Sequence, residues 1–362
     1  MFYNNKLTIN FFKYRRKINE SLFAILNHQR WSCSQTQSDA KTKNSVLKVL
    51  FFGTDAFSLP SLQALHNNYY DPTGINALGV VTSFKNPANC VRNYAEQKGL
   101  ILHRWPVTPE ACEGYDLGVV VSFGHLIPEK IIKAFPSGMI NVHASLLPRW
   151  RGAAPIIYAI MHGDKQTGVS IMKIEPKHFD VGDILAQREV AIRDDILMPE
   201  LHTQLAQEGA DLLVNTLQHF PNSVKTAVKQ NNELATFAPK IIPSITKVNW
   251  TEIKAEQLYR RFRALFGFKH LNTRFQDKNV QLIDIQLPES QIIPAFLANK
   301  SCGAFLYDRH RRCLLVRCSG LTLIEVHQLR VEGKKAMTAV EFNNGFIKQS
   351  NSSSKELLFT SK

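Results

Sequence analysis

The chain of 362 residues lacks most of the short signatures by which common protein classes announce themselves. Its six cysteines, Cys33, Cys90, Cys112, Cys302, Cys313 and Cys318, are scattered and none forms a C-x-x-C pair. That excludes a disulfide framework or a zinc site as a reading of the spacing, and it fits a reducing compartment. No run approaches the ~18 apolar residues that a membrane-spanning helix needs, so no membrane role is expected. Neither G-x-G-x-x-G nor G-x-x-x-x-G-K-[ST] occurs, which removes the usual phosphate-cradling loops. Ser145 has no G-x-S-x-G elbow around it, and no H-E-x-x-H is present. A serine nucleophile and a catalytic metal therefore have no motif to rest on.

Hydrophobic residues make up 44% of the chain, enough for a packed core in two domains plus extensions. The net charge of +14 is unevenly placed. Residues 1–44 hold eight Lys/Arg against two acids, residues 45–239 sixteen against eighteen, and residues 240–362 twenty against ten. A near-neutral middle beside a strongly basic C-terminal part is the footprint of a nucleic-acid partner, against the bland alternative of a solvated basic surface.

Acids are scarcest at the start. Up to residue 38 only Glu20 opposes Lys6, Lys13, Arg15, Arg16, Lys17 and Arg30. Ile18, Leu22, Ile25 and Leu26 make a narrow helical apolar stripe, and Ser32, Ser34, Thr36 and Ser38 follow. Basic, amphipathic and acid-poor describes a mitochondrial transit peptide over residues 1–44.

Fold reasoning begins at about Val46. Strand runs at Leu47–Phe52, Ala77–Val81, Leu117–Ser122 and Met139–His143, with a short extended stretch at Ile101–His103, alternate with helical stretches near Leu59–Asn67 and Asn93–Lys98. This pattern predicts an α/β, Rossmann-like, mostly parallel sheet with helices on both faces over residues 45–236. Ligands of such sheets bind beyond the carboxyl ends of the strands. Gly53-Thr54, Phe123–Pro128, and Asn141 with His143 all fall at such ends. Gly53 serves the turn, with contact to an anion as an open second role. Asn141 and His143 are two apart on a strand and so share a face. An amide and an imidazole there can hydrogen-bond an oxygen that gains negative charge. A further strand, Thr167–Ile174, leads to Asp180 and Asp183 around Gly182, and either carboxylate can serve the imidazole. Taken singly, each of these residues has a structural explanation; at one sheet edge they form a carbonyl-transfer site.

The segment from Asn141 to Ile156, Asn-Val-His-Ala-Ser-Leu-Leu-Pro-Arg-Trp-Arg-Gly-Ala-Ala-Pro-Ile, resembles the signature of the methionyl-tRNA formyltransferase family, within the 10-formyltetrahydrofolate-dependent formyltransferases. Phe51–Phe57, Phe123–Pro128, Thr167–Ser170 and Asp180–Asp183 fall at the matching places, and the likeness spans roughly residues 47–345. It implies transfer of a formyl group from 10-formyltetrahydrofolate to the amine of initiator methionyl-tRNA, in support of translation initiation in the mitochondrial matrix. It implies that Asn141 and His143 polarise the formyl oxygen and that Asp180, rather than Asp183, is the catalytic carboxylate. It places the folate near Phe123, Gly124, His125, Leu126, Ile127 and the Asp180 loop, with Ser145, Leu146, Leu147 and Pro148, and the methionyl-adenosine end of the tRNA near Arg149, Trp150 and Arg151. A monomer without metal is expected.

Two stretches depart from the family pattern. The loop Thr82–Arg92, where bacterial members carry a basic insertion, has only Lys85 and Arg92 positive. Residues Glu175–Phe179 before Asp180 are also atypical, so the folate-side loop is expected to differ in shape.

Residues 237–249, with Pro239 and Pro243, read as a linker. Trp250–Phe266 is predicted helical, with Arg260, Arg261 and Arg263 as a basic side. Short strand runs at Val280–Ile285, Cys313–Cys318 and Leu321–His327 suggest a small β-barrel over residues 250–347. The resemblance makes this an OB-like tRNA-binding domain, with Arg309, Arg311, Arg312, Arg317, Lys334 and Lys335 as candidate phosphate contacts. Residues 348–362 are polar and Ser-rich, and disorder is expected there. Two other readings compete: an enzyme formylating a small amine, which has no need of a basic C-terminal domain, and a non-catalytic RNA-binding protein that kept the fold.

Overall fold

The computed structural model describes residues 46–68, 75–220, 222–348 and 357–361. The segment 1–44, read above as a transit peptide, lies outside the described residues. The catalytic lobe runs through β1 (Leu47–Gly53), α1 (Leu59–Asn67), β2 (Ile75–Thr82), α2 (Cys90–Gln97), β3 (Ile101–Arg104), β4 (Leu117–Val121), β5 (Met139–His143), α3 (Pro155–His162), β6 (Gln166–Lys173), β7 (Ile184–Ala191) and α4 (Met198–Gln218). The sheet order is β3-β2-β1-β4-β5-β6-β7. The first five strands are parallel, while β6 and β7 turn the edge antiparallel.

Every residue of β4 is buried, as a strand covered on both faces must be. The two faces of β5 go to different places. Ile140 and Val142 enter the main core. Met139 enters a second cluster with Phe52, Val120, Phe123 and Phe135. Side chains alternate, so Asn141 and His143 stand on that second side, and Asn141 is in register with Val120. Helix α4, absent from the sequence reading, buries Leu201, Leu205, Ala206, Leu212, Leu213 and Leu217. Its period-four stripe packs on α1 and β6. Its start is secured by Glu200, whose carboxylate accepts from the Leu197 N–H at 3.0 Å.

The C-terminal lobe begins with α5 (Ala255–Leu265), shorter than predicted because Trp250 is buried in the barrel core instead, donating from Nε1 to Thr273 at 2.9 Å. Strands β8 (Leu271–Phe275), β9 (Lys278–Gln286), β10 (Phe305–Asp308), β11 (Cys313–Cys318), β12 (Thr322–Val331), β13 (Ala336–Thr338) and β14 (Phe359–Thr360) make a curled antiparallel sheet, in the order β10-β11-β12-β9-β8-β14 with β13 on β12. The expectation of a disordered tail is overturned for residues 357–361. Phe359–Thr360 pairs with β8, and Phe359 stacks on Phe305 with centroids 4.4 Å apart. The apolar hook Leu357-Leu358-Phe359 is hidden in the sequence behind a polar stretch.

Helix α5 packs against α3, joining the lobes. The basic side expected for α5 is engaged within the protein, and Arg263 bonds across the junction. Arg263 is buried and donates to the Ile196 carbonyl at 3.0 Å. Arg260 pairs with Glu256, and Arg261 reaches the Lys247 carbonyl. Burial pushes the Arg261 and Arg263 guanidinium pKa values down, since a charge taken from water is harder to keep. None of the helices among the described residues is long and apolar enough to cross a membrane.

Candidate active site

The loop after β5 folds back so that its own backbone meets the imidazole. His143 Nε2 lies 3.0 Å from the Trp150 carbonyl oxygen. A carbonyl only accepts, so Nε2 carries the proton. Nδ1 is then the nitrogen that faces Asp180, at 3.7 Å from Oδ1. The other carboxylate oxygen of Asp180 accepts from the Gly152 N–H at 2.9 Å. Asp183 is elsewhere, 3.8 Å from Lys173 on a more open surface. The structure thus separates the two carboxylates that the sequence left as alternatives and gives Asp180 to the histidine.

Asn141 has a different position. It is half-buried and its side-chain amide has no hydrogen-bond partner among the described residues. With His143 engaged at Nε2 and turned to Asp180 at Nδ1, Asn141 is the donor left open toward a ligand. The expected pair of oxygen-polarising groups therefore divides into an open donor and a buried imidazole–carboxylate couple.

Backbone conformation at this site is unusual. Trp150 and Asp180 both have positive φ, 62° and 56°. Left-handed backbone disfavours side-chain-bearing residues, and its presence at two adjoining positions requires strong local restraint. Gly182, read as a turn glycine, serves close packing instead: a Cβ there would lie 2.0 Å from the Lys173 carbonyl oxygen. The left-handed turn falls on Asp180 itself.

An aromatic wall stands on the same side of the sheet. Phe52, Trp105, Phe123 and His125 pack edge-on or tilted, with centroid separations of 5.0 Å for Trp105–Phe123, 5.1 Å for Phe123–His125 and 5.6 Å for Trp105–His125. Phe123 and Ile127 are buried anchors, and Gly124, His125 and Leu126 between them are exposed. Burial first, and then the nearby Lys85, lower the His125 pKa, which favours a neutral ring. Trp105, missed in the sequence, follows edge strand β3, where a short half-exposed run gives no signal.

The Gly53 loop closes on itself through side-chain caps. Asp55 Oδ1 accepts from the Phe57 and Ser58 N–H groups, and Ser58 Oγ accepts from the Asp55 N–H. The N–H groups of Asp55, Phe57 and Ser58, just before α1, are used by the loop itself. Gly53 is there because a Cβ would meet Phe51 at 2.6 Å and Ser58 at 2.8 Å.

Within the segment Ser145–Arg151, the expected tRNA contact of Trp150 and Arg151 is corrected. Ser145 Oγ donates to the Arg149 carbonyl at 2.6 Å, and Ser170 Oγ donates to the Ser145 carbonyl at 2.7 Å. Leu147 is buried, while Leu146 and Pro148 are half-buried, so this stretch shapes the site more than it offers polar groups. Trp150 and Arg151 are each only 6% exposed. The Trp150 indole N–H donates to Asp164 at 2.7 Å, and Arg151 is enclosed by Gln230 and Asn232. Neither is presented to a macromolecule. Arg149 alone is exposed, and it is held by a bidentate pair with Asp164 at 2.6 and 2.8 Å, stacked 4.4 Å from the Trp150 ring.

In the C-terminal lobe the β10–β11 turn carries Arg309, Arg311 and Arg312, and the β12–β13 turn carries Lys334 and Lys335, all exposed. The antiparallel register puts both turns at one end of the sheet. Arg311 differs from its neighbours by pairing with Glu325 at 3.4 Å and Asp308 at 4.0 Å. The fold also gathers Cys313, Glu325 and His327, a grouping invisible in the sequence spacing. Glu325 already accepts from His327 at 3.0 Å and faces Arg311, so the cluster is an ion-pair network with a guanidinium in its midst. The loop Thr82–Arg92 is likewise self-contained: Arg92 stacks over Phe84 and pairs with Glu96.

Residues 110–217 match the formyl transferase family, and residues 240–347 match the formyl transferase C-terminal domain. The chain is 38% identical over 307 residues to the mitochondrial methionyl-tRNA formyltransferase of Homo sapiens, covering 83% of this chain and 78% of that protein. It is 30% identical over 322 residues to the methionyl-tRNA formyltransferase of Fusobacterium nucleatum, covering 83% of this chain and 98% of that one. Among solved structures, the fold is shared with WlaRD, a sugar 3N-formyl transferase crystallised with dTDP and 5-N-formyl-THF (TM-score 0.58, 17% identity, 80% of this chain and 100% of that one). It is shared also with HypX from Aquifex aeolicus in complex with tetrahydrofolic acid (TM-score 0.54, 15% identity, 84% of this chain but 48% of that longer one). An open amide and an imidazole–carboxylate couple at the strand ends, together with these likenesses, establish that the chain belongs to the methionyl-tRNA formyltransferase family of one-carbon transferases.

Proposed function

We propose that the chain moves the formyl group of 10-formyltetrahydrofolate to the α-amine of initiator methionyl-tRNA in the mitochondrial matrix, as a monomer. The observation that carries the reading is the Asn141, His143 and Asp180 arrangement, standing on the same side of the sheet as the aromatic wall. The folate supplies the formyl carbon, and the wall of Trp105, Phe123 and His125 with exposed Leu126 suits a flat heteroaromatic ring. Asn141 donates to the formyl oxygen, which gains negative charge as the amine adds. The attacking amine must shed a proton; His143 Nδ1, beside Asp180 Oδ1, is in reach to take it and return it to the folate nitrogen, which leaves as its bond to the formyl carbon breaks. The buried Trp150 carbonyl fixes the other ring nitrogen, so the imidazole keeps one orientation through the cycle.

The tRNA reading rests on the two basic turns at one end of the C-terminal sheet. Arg309, Arg312, Lys334 and Lys335 are exposed there and lead the candidate phosphate contacts. Trp150 and Arg151 support the site from within. The test is formylation of purified initiator Met-tRNA, elongator Met-tRNA and a small amino-sugar nucleotide with 10-formyltetrahydrofolate. Preference for initiator Met-tRNA is the expected result. Turnover of the small amine alone, or none with any acceptor, would reject the proposal.

A further inference from the structure

Gln230 is a buried side chain with no place in the mechanism above, yet every polar group it has is engaged around the catalytic carboxylate. Its Oε1 accepts from Arg151 Nε at 3.0 Å and Nη2 at 2.7 Å. Its Nε2 donates to the Asp180 carbonyl at 3.0 Å and to the Gly182 carbonyl at 2.8 Å. The orientation of the amide is dictated by chemistry: guanidinium nitrogens only donate and carbonyl oxygens only accept. We infer that Gln230 is the positioning residue that holds Asp180 in its left-handed backbone conformation, and that through Arg151 it locks the Asp180 loop to the loop that carries Trp150 and Gly152.

The two loops are far apart in sequence and both are strained. Asp180 sits at φ 56° and Trp150 at φ 62°. One side chain ties them, because Gln230 grips the Asp180 backbone with one end and Arg151 with the other. Arg151 has its own fixed frame: its N–H donates to the Thr236 carbonyl at 2.9 Å, and its carbonyl accepts from Ala238 at 2.7 Å. The Gly152 N–H that follows is the donor to Asp180 Oδ2. The brace therefore closes a ring, from Asp180 backbone to Gln230, to Arg151, to Gly152 and back to the Asp180 carboxylate. Arg151 also sits near enough to attract the Asp180 carboxylate, while burial opposes its own charge.

Glutamate is the sharpest probe, being isosteric with Gln230. It keeps the acceptor toward Arg151 and places an anion against two carbonyl oxygens, which breaks only the Asp180 half of the brace. Misplacement of a catalytic group by about 1 Å can cost on the order of 100-fold. Gln230→Glu is expected to lower kcat by about 10- to 100-fold while KM for Met-tRNA and for the folate changes less than about threefold. On an Asp180→Ala background the same substitution is expected to cost nothing further, since residues that act as a unit are not additive. An unchanged kcat, or an equal loss in both backgrounds, would overturn the inference. Gln230→Met, which removes both halves without adding charge, supplies the comparison if the glutamate variant folds poorly, and the same outcomes apply to it. The inference rests on the formyl-transfer reading. A second readout keeps the two apart: hydrogen exchange at the Gly152 amide should accelerate in Gln230→Glu whatever the substrate. Accelerated exchange in a protein that formylates nothing would retain the brace and remove the function; unaltered exchange would remove the brace.

Discussion

The chain contains two basic turns that look alike in sequence and behave oppositely in the fold. One is Arg149-Trp150-Arg151, after β5; the other is Arg309 to Arg312, between β10 and β11. In the first, the indole and one guanidinium are buried and bonded to Asp164, Gln230 and Asn232. In the second, Arg309 and Arg312 stand in water. The difference is one of available partners. Asp164, Gln230 and Asn232 converge on the first turn, while among the described residues Asp308 and Glu325 are the acids paired at the second, and they take Arg311. A run of arginines thus identifies a nucleic-acid surface only after the partners inside the protein have been counted.

The largest separation between the two regions should come from kinetics. His143→Ala or Asp180→Ala is expected to reduce kcat by about 100- to 10,000-fold, the range for losing a positioned acid–base group, with KM for the tRNA little changed. Steady-state formylation with circular dichroism as a control for folding checks this. Near-normal kcat in a folded variant would remove the couple from the mechanism. Next in size, replacing Arg309, Arg312, Lys334 and Lys335 together by Gln should leave kcat intact and raise KM for Met-tRNA. The fall of affinity with salt should flatten, by up to about 0.7–0.9 in log–log slope for each phosphate no longer neutralised. If the slope stays as steep as in the parent, the phosphates are met elsewhere. The smallest effect is reserved for Arg149→Gln. Its pair with Asp164 is exposed on the arginine side, so thermal or urea unfolding should show a destabilisation of less than about 1 kcal/mol. A defect in tRNA KM as large as that of the fourfold variant would return this turn to the binding surface.

Much of the catalytic lobe is legible in the sequence because its strands are almost wholly apolar and are punctuated by turns. Leu117–Val121 and Met139–His143 declare themselves by composition, and period-two alternation alone pairs Asn141 with His143. What escapes the sequence depends on distant partners. Nothing local says that Asp180 rather than Asp183 meets His143, because the choice is made by the Gly152 N–H and by Gln230, 28 and 50 residues away. Nor does Trp105 signal its place in the aromatic wall, since it follows a short edge strand. Helix α4 has a regular apolar stripe, but it lies beyond the strand-end motifs that direct attention to the site, and the buried Phe359 is masked by its polar neighbours.

Strand β5 carries a last consequence. Its even-numbered residues Ile140 and Val142 fill the core, and its odd-numbered Asn141 and His143 stand on the other side, where the proposed site lies. A slip of one residue would exchange the two sets, driving an amide and an imidazole into an apolar interior. Ejecting Ile140 and Val142 would forfeit roughly 1.5–3 kcal/mol apiece, before any penalty for the buried polar groups. Hydrophobic packing thus proofreads the catalytic register: an assembly error in this strand is penalised as misfolding before it can persist as an inactive enzyme.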